Sequence, residues 1–160
     1  MTRTVLSMTI AALLAVPGSA LAQQATSAQE VRQAIRDSYA YSKENLTDAP
    51  DTYAAAGALE FWSSGGLIQS VPADTPLLDY ESYSLTPKHI RVIMLAEDQV
   101  AIAQFYVEGS YVETDQAPTT DYLTRVTQVF VEEDGQWKVR ASHFSPITGG
   151  SGTRQRASEN

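Results

Sequence analysis

Hydrophobic and polar residues recur along the chain with two different periods, and the first is that of a helix. Val31, Ile35 and Tyr39 fall on one face at helical spacing, and charged residues occupy the other face. The sequence SAQE at 27–30 has the form of a capping box, with a hydroxyl at the N-cap and a carboxylate three residues later. We therefore predict a helix from about residue 28 to 45.

A second helix is predicted between residues 52 and 62, where the chain reads TYAAAGALEFW. The segment is rich in alanine, and Asp48 and Pro50 just before it are typical of a helix start. Its aromatic residues, Tyr53 and Trp62 among them, fit either a packed core or the lining of a pocket.

From residue 67 the apolar residues alternate as they do in strands. The predicted strands are 67–71, 90–95, 100–113, 122–133 and 136–145. The sequence AEDQ at 96–99 and the pair Asp134-Gly135 mark hairpin turns. Helices followed by consecutive hairpins indicate the α+β class. Because long strands twist, we expect a strongly curved antiparallel sheet of four to six strands, with the N-terminal helices covering its concave face.

The two ends of the chain differ from this central part. Residues 1–22 combine Arg3, an apolar run too short to span a bilayer, and small residues before Gln23, which is the layout of a secretory signal peptide. Residues 148–160 contain almost no apolar residue and are predicted to be a disordered tail. We therefore predict one domain over 23–147 in a protein exported to the periplasm or secreted, with no stable membrane span after signal cleavage.

Charge and residue usage exclude several classes of function. The formal net charge of −8 disfavours binding to nucleic acid and to anionic membrane surfaces. The chain has no Cys, which rules out thiol nucleophiles and Cys metal sites. Its two His residues, His89 and His143, show no metal-ligand spacing. We therefore predict no metal site and no cofactor.

The last predicted hairpin carries a recognisable pattern: R-x-T-x-V-F, a D-G turn, W-K-V and then H-x-S. Together with the helices before it, this hairpin resembles the SnoaL-like branch of the nuclear transport factor 2-like superfamily, over roughly residues 28–147. That superfamily includes ketosteroid isomerases, polyketide cyclases and the association domain of a calcium/calmodulin-dependent kinase. The resemblance implies a cone-shaped sheet with a pocket inside and a homodimer formed through the outer face of the sheet. Because members of such a fold differ in function, the activity has to be inferred from the site itself.

The resemblance also implies which side chains face the pocket. Alternation places Trp137, Val139, Ala141 and His143 on one side of the last strand, and Lys138, Arg140, Ser142 and Phe144 on the other. By resemblance to the kinase association domain, the Phe144 side faces the pocket, with Gln104 and Gln128 on neighbouring strands. These residues stand where that domain has arginines, which favours a neutral, amphipathic or apolar small-molecule ligand over a carboxylate. The predicted ligand-binding residues are Tyr53, Trp62, Gln104, Tyr106, Gln128 and Phe144.

Three residues are candidates for catalysis, each with a structural alternative. Glu108 and Asp121 are strand-borne acids that could act as a base opposite a tyrosine donor, or could be exposed turn charges. His143 could be a general base, or could fill a structural or interface position. Because the sequence shows no evident buried acid, it favours a binding protein over an enzyme. An isomerase, cyclase or hydrolase acting in the same pocket and a homo-oligomeric assembly module remain as alternatives.

Overall fold

The computed structural model describes the backbone of residues 17–147 and side chains from residue 25. The predicted signal segment up to residue 16 and the predicted tail at 148–160 lie outside the described residues, so export stays a prediction. The elements are α1 (Pro17–Asn45), β1 (Ala58–Phe61), β2 (Gln69–Val71), β3 (Tyr80–Tyr83), β4 (Thr86–Ala96), β5 (Val100–Glu113), β6 (Thr119–Glu133) and β7 (Gln136–Pro146). Within residues 17–147, α1 does not have the apolar length that crossing a membrane requires.

The strands form one curved, unclosed sheet in the order β2-β1-β7-β6-β5-β3, and β4 also pairs with β5. Neighbouring strands are antiparallel except β1 and β7, which are parallel, so the sheet is mixed. Helix α1 packs on the concave face, where Val31 and Ile35 join the core cluster with Phe105. The predicted α+β class and the curved sheet are therefore confirmed.

The alternation of the long strands sorts their side chains between the two faces. On β5, Ala101, Ala103, Phe105 and Val107 are buried beneath α1, and the residues between them face outward. The outward positions align across five strands in an apolar row. We call this row the convex band; it consists of Ile93, Ile102, Val129, Ala141 and Leu59.

The predicted helix at 52–62 is wrong, because this segment is extended and lies alongside β7. Ala54 donates a backbone hydrogen bond to Val139 (3.0 Å), and Val139 donates one to Thr52 (2.9 Å). Gly57 then turns the chain at a φ of 72°, and a Cβ there would lie 2.5 Å from the carbonyl oxygen of Val71. Pairing with β7 satisfies the hydrogen-bonding groups of the backbone in this segment, and it overrides the helix propensity of the alanines.

Two further details differ from the sequence-based prediction, and a third agrees with it. The described part of the chain has one helix and seven strands, whereas two helices and four to six strands were expected, and β1 and β3 are the strands that were not predicted. Helix α1 begins before the expected capping box, so Ser27 is a buried residue inside the helix. Its hydroxyl donates a hydrogen bond to the Asp98 carboxylate. The predicted hairpin at Asp134-Gly135 is confirmed, with φ values of 53° and 79° that suit a type I′ turn.

The last strand contains a β-bulge that changes which side chains face inward. Phe130 pairs with Val139 and Val129 pairs with Ala141, so Arg140 is the extra residue. Val139 and Ser142 are therefore both buried, although simple alternation had put them on opposite faces. The prediction that Phe144 faces the concave side is confirmed, but Trp137 and Val139 face it as well.

Candidate functional site

Helix α1 and the concave face of the sheet border a partly open cavity of about 830 Å³, which is a size typical of small-molecule sites. Seven of the eight tyrosines of the chain line it, together with both tryptophans. The lining tyrosines are Tyr39, Tyr41, Tyr53, Tyr80, Tyr83, Tyr111 and Tyr122. The wall is therefore aromatic and carries many hydroxyl donors.

Glu60 is an acid buried within this cavity wall. It lies on β1 opposite Ser142 of β7, and it is 3% exposed because β1 directs Ala58 and Glu60 inward. Burial raises the pKa of the Glu60 carboxyl above its ordinary value of 4.5, and the negative charge of Asp48 raises it further. Hydrogen bonds from Ser142 and Trp62 oppose this increase, and Gln128 in turn donates to Ser142 over 3.3 Å. Glu60 is thus held in place by neutral hydrogen-bonding groups.

A second acid, Asp48, organises the tyrosines at another part of the wall. Its carboxylate accepts a hydrogen bond of 2.6 Å from the Tyr80 hydroxyl and one of 3.1 Å from the Leu78 amide. Burial and the Asp48 carboxylate raise the pKa of the Tyr80 phenol, and burial also raises that of Tyr83. These phenols therefore stay protonated at neutral pH and remain hydrogen-bond donors.

Four of the six predicted ligand-binding residues line the cavity: Tyr53, Trp62, Gln128 and Phe144. Tyr53 is positioned by the pairing of its segment with Val139, and burial raises the pKa of its phenol. Trp62 directly follows β1 and donates a hydrogen bond to Glu60. These four residues line the same cavity, and their role in ligand binding stays a prediction.

The expected position of Gln104 and Tyr106 inside the cavity is wrong. Because Ala103, Phe105 and Val107 point inward, the residues that alternate with them face the convex side. There Gln104 and Tyr106 border a shallow groove with His89, and Tyr106 is 43% exposed. His89 is exposed.

None of the three catalytic candidates lines the cavity. Glu108 is exposed on the convex side and forms an ion pair of 3.2 Å with Lys88. Asp121 is exposed near the start of β6. His143 is exposed beside Phe61, with ring centroids 5.6 Å apart. This placement corresponds to the structural alternative that the sequence left open for each of them.

Two of the acids that line the cavity, Glu60 and Asp48, were missed in the sequence. Glu60 lies in the segment that was predicted to be a helix, so the inward alternation of Ala58 and Glu60 could not be used. Asp48 was interpreted only as a helix-start signal. The one signal that could have identified Glu60 is the pattern Ala58-Leu59-Glu60-Phe61, which alternates in burial once the segment is extended.

No protein-family model matches the sequence, and a comparison with curated proteins gives no match. Solved structures do match. A nuclear transport factor 2 (NTF2-like) superfamily protein from Salmonella enterica is 17% identical, with a TM-score of 0.59, and the match covers 82% of this chain and 99% of that one. A provisionally named scytalone dehydratase from Novosphingobium aromaticivorans is 12% identical, with a TM-score of 0.61, and the match covers 86% and 95%.

A provisionally named aromatic ring hydroxylase, also from Novosphingobium aromaticivorans, is 17% identical with a TM-score of 0.59. That match covers 81% of this chain and 94% of the other. The chain therefore has the NTF2-like fold that the resemblance implied. At these identities the likeness shows the fold alone, and the SnoaL-like branch stays a prediction.

Proposed function

We propose that the cavity binds a small amphipathic organic molecule and that Glu60 exchanges a proton with it. The observation that carries this proposal is the placement of Glu60, an acid 3% exposed in a cavity lined by tyrosines, with its pKa raised by burial. A buried acid with a raised pKa that faces hydroxyl donors is a combination expected of an acid–base enzyme. The proposal thus takes the enzyme alternative left open by the sequence.

The surroundings of Glu60 favour proton abstraction from a carbon next to a carbonyl group. Because burial raises the pKa of its carboxyl, ionised Glu60 is a stronger base than an exposed carboxylate. In this step the C–H bond breaks, an O–H bond forms on Glu60, and the electron pair moves to the carbonyl oxygen of the ligand. A protonated phenol, such as that of Tyr39 or Tyr53, can stabilise that oxygen by donating a hydrogen bond.

The pKa values of these two phenols support the donor role. Burial raises the pKa of Tyr39, and the charges of neighbouring tyrosines and of Glu60 add to the increase. Burial and then the Glu60 charge raise the pKa of Tyr53. Both phenols are therefore neutral donors at the pH at which Glu60 can act as a base. One structural neighbour is named as a dehydratase and another as a hydroxylase, so proteins with this fold include some that carry enzyme names.

Deuterium exchange tests the proposed proton transfer with simple ketones in place of the natural substrate. The full chain is incubated in D₂O with cyclohexanone and 2-tetralone, and proton NMR follows the loss of the signals next to the carbonyl. We expect the wild type to accelerate exchange, and Glu60→Gln to lower the catalysed rate at least about a hundredfold, as for loss of a general base.

Glu108→Gln is the matched control, because it neutralises a glutamate on the convex face. It should leave the catalysed rate unchanged. An unchanged rate in Glu60→Gln would show that Glu60 is not the base. Binding of the ketones without any exchange would instead favour a binding protein.

A further inference from the structure

The side chains that line the cavity carry a strong excess of negative charge. Among the described residues, six carboxylates and one ammonium group border it. The carboxylates are Glu30, Asp37, Asp48, Asp51, Glu60 and Glu113, and the ammonium is that of Lys138. Lys138 donates to the backbone carbonyl of Asp51 over 2.5 Å. Glu30, Asp37 and Asp51 are exposed and screened by water, so the field inside the cavity comes mainly from Asp48, Glu60 and Glu113. This field favours a positively charged ligand and disfavours an anion.

The aromatic wall favours the same charge for a separate reason. Tyr83, Tyr80, Tyr111 and Tyr122 form a continuous series of rings, with successive centroid distances of 4.8, 6.1 and 5.8 Å. The face of an aromatic ring attracts a cation through its quadrupole, and this attraction is strongest where water is excluded. Asp48 lies beside this series and accepts a hydrogen bond from the hydroxyl of Tyr80, its second member. This part of the wall therefore combines ring faces with a carboxylate.

The surroundings of Glu60 provide a third observation. Glu60 has no ion-pair partner within residues 25–147, and its hydrogen bonds come from the neutral side chains of Ser142 and Trp62. A buried carboxylate without a countercharge is costly, so it either takes up a proton or pairs with a cation. A cationic group on a ligand would supply the missing countercharge at the carboxylate that faces the cavity.

We propose that the ligand of this cavity is an organic cation, a substituted ammonium with an apolar or aromatic body, held between the tyrosine rings and the carboxylates of Glu60 and Asp48. The inference rests on the proposed function, since it assigns the substrate class of the same cavity. It also revises the neutral ligand expected from Gln104, Gln128 and Phe144. That expectation took no account of Glu60 and Asp48, and Gln104 lies outside the cavity.

A pair of probes that differ in charge and share one shape tests this proposal. The full chain is titrated by calorimetry at neutral pH with 3-hydroxyphenyltrimethylammonium and with 3-tert-butylphenol. Because a trimethylammonium group and a tert-butyl group have nearly the same volume, the difference in affinity reports on the charge. We expect the cation to bind about tenfold more tightly.

Variants locate the origin of that preference. Glu60→Gln removes the unpaired carboxylate and should reduce the preference for the cation several-fold. Tyr122→Leu removes a ring face without changing the charge and should act in the same direction, which keeps the test valid should Glu60→Gln not fold. Glu97→Gln is the control, because it removes one negative charge from the exposed turn between β4 and β5 and should leave the preference unchanged.

The possible outcomes separate this inference from the proposed function. Equal affinity for the two probes would overturn the organic-cation inference and leave the cavity as a binding site. A loss of preference in Glu97→Gln as large as that in Glu60→Gln would also overturn it, since the effect would then come from overall charge. Absence of binding by both probes would overturn the inference, whereas failure of the deuterium-exchange test would overturn the proposed function alone.

Discussion

Glu60 and Glu108 show how the position of one residue type on a sheet determines its chemistry. Both are glutamates on strands, but Glu60 faces the concave side at 3% exposure, while the Glu108 side chain is 54% exposed on the convex side. Water solvates Glu108 and screens its pairing with Lys88, so that ion pair contributes little to stability. Glu60 has no such solvation. Its ionisation therefore affects both the reactivity and the stability of the protein.

Glu60→Gln should make the protein more stable at neutral pH. Because burial raises the pKa of Glu60 in the folded state above its ordinary value of 4.5, the folded state holds that proton more tightly than the unfolded state does. The stabilising effect of the protonated carboxyl is complete below about pH 4.5 and is lost as the pH rises through the folded-state pKa. Glutamine does not ionise, so we expect a melting temperature roughly 2–6 °C higher than that of wild type at neutral pH.

The measurement is a series of thermal melts of both proteins from pH 4 to pH 8. The difference in melting temperature should shrink toward the acidic end, and Glu108→Gln should follow the wild type throughout. If Glu60→Gln melted at a lower temperature than wild type at neutral pH, burial of an ionised Glu60 would not be costly.

At the scale of elements, the connection after α1 is fixed to β3 rather than to the helix. Asp48 accepts hydrogen bonds from the Leu78 amide and the Tyr80 hydroxyl, and its own amide donates to the Leu78 carbonyl. Tyr80 in turn donates its amide to Leu46 over 2.8 Å. These contacts hold the end of α1 against β3 and thereby place Tyr80 and Tyr83 in the cavity wall.

Asp48→Ala should therefore loosen this connection. The substitution removes the acceptor of two hydrogen bonds, so we expect it to lower the free energy of unfolding by about 2–3 kcal/mol. Tyr80→Phe removes one of these bonds and should cost about 1 kcal/mol. Urea denaturation of both variants measures the two values. A cost for Asp48→Ala no greater than that for Tyr80→Phe would contradict the proposed role of the Leu78 contact.

The elements also show what sequence patterns could and could not predict. The hairpins from β4 to β7 were predictable because their alternation and turn residues are local properties of the chain. The segment at 52–62 was mispredicted because its extended form depends on pairing with β7, a distant strand. The same error concealed Glu60, and the bulge at Arg140 altered the inward set on β7. Four lining residues were nevertheless named from the sequence and the resemblance, namely Tyr53, Trp62, Gln128 and Phe144.

At the scale of the whole molecule, the two faces of the sheet have opposite character. The concave face carries carboxylates and tyrosines around a cavity. The convex band runs from Ile93 to Leu59, which are 59% and 43% exposed, and an apolar row of this length is suited to a protein–protein contact. We propose that two copies of the chain pair through this band, which would leave both cavities accessible.

Native mass spectrometry and light scattering of the full chain test the proposed homodimer. We expect a dimer for the wild type and a shift to monomer for Ile93→Lys, because a charge in the band would be buried without a partner. Leu67→Lys is the control, since Leu67 is 88% exposed in the connection between β1 and β2 and lies outside the band. A monomeric wild type, or a dimer that persists in Ile93→Lys, would rule out pairing through this face.

The parallel pairing of β1 with β7 also affects the order in which the strands form during folding. The strands from β4 to β7 meet through short turns, whereas β1 must find its partner near the other end of the described chain. Since closing a long loop costs more entropy than closing a short one, we expect the hairpins to form first and β1 to join last. Pulsed hydrogen exchange during refolding would contradict this order if the Glu60 amide were protected before those of β5 and β6. In the expected order, the hairpins from β4 to β7 form before β1 brings Glu60 into the cavity wall, so the proposed catalytic acid is positioned last.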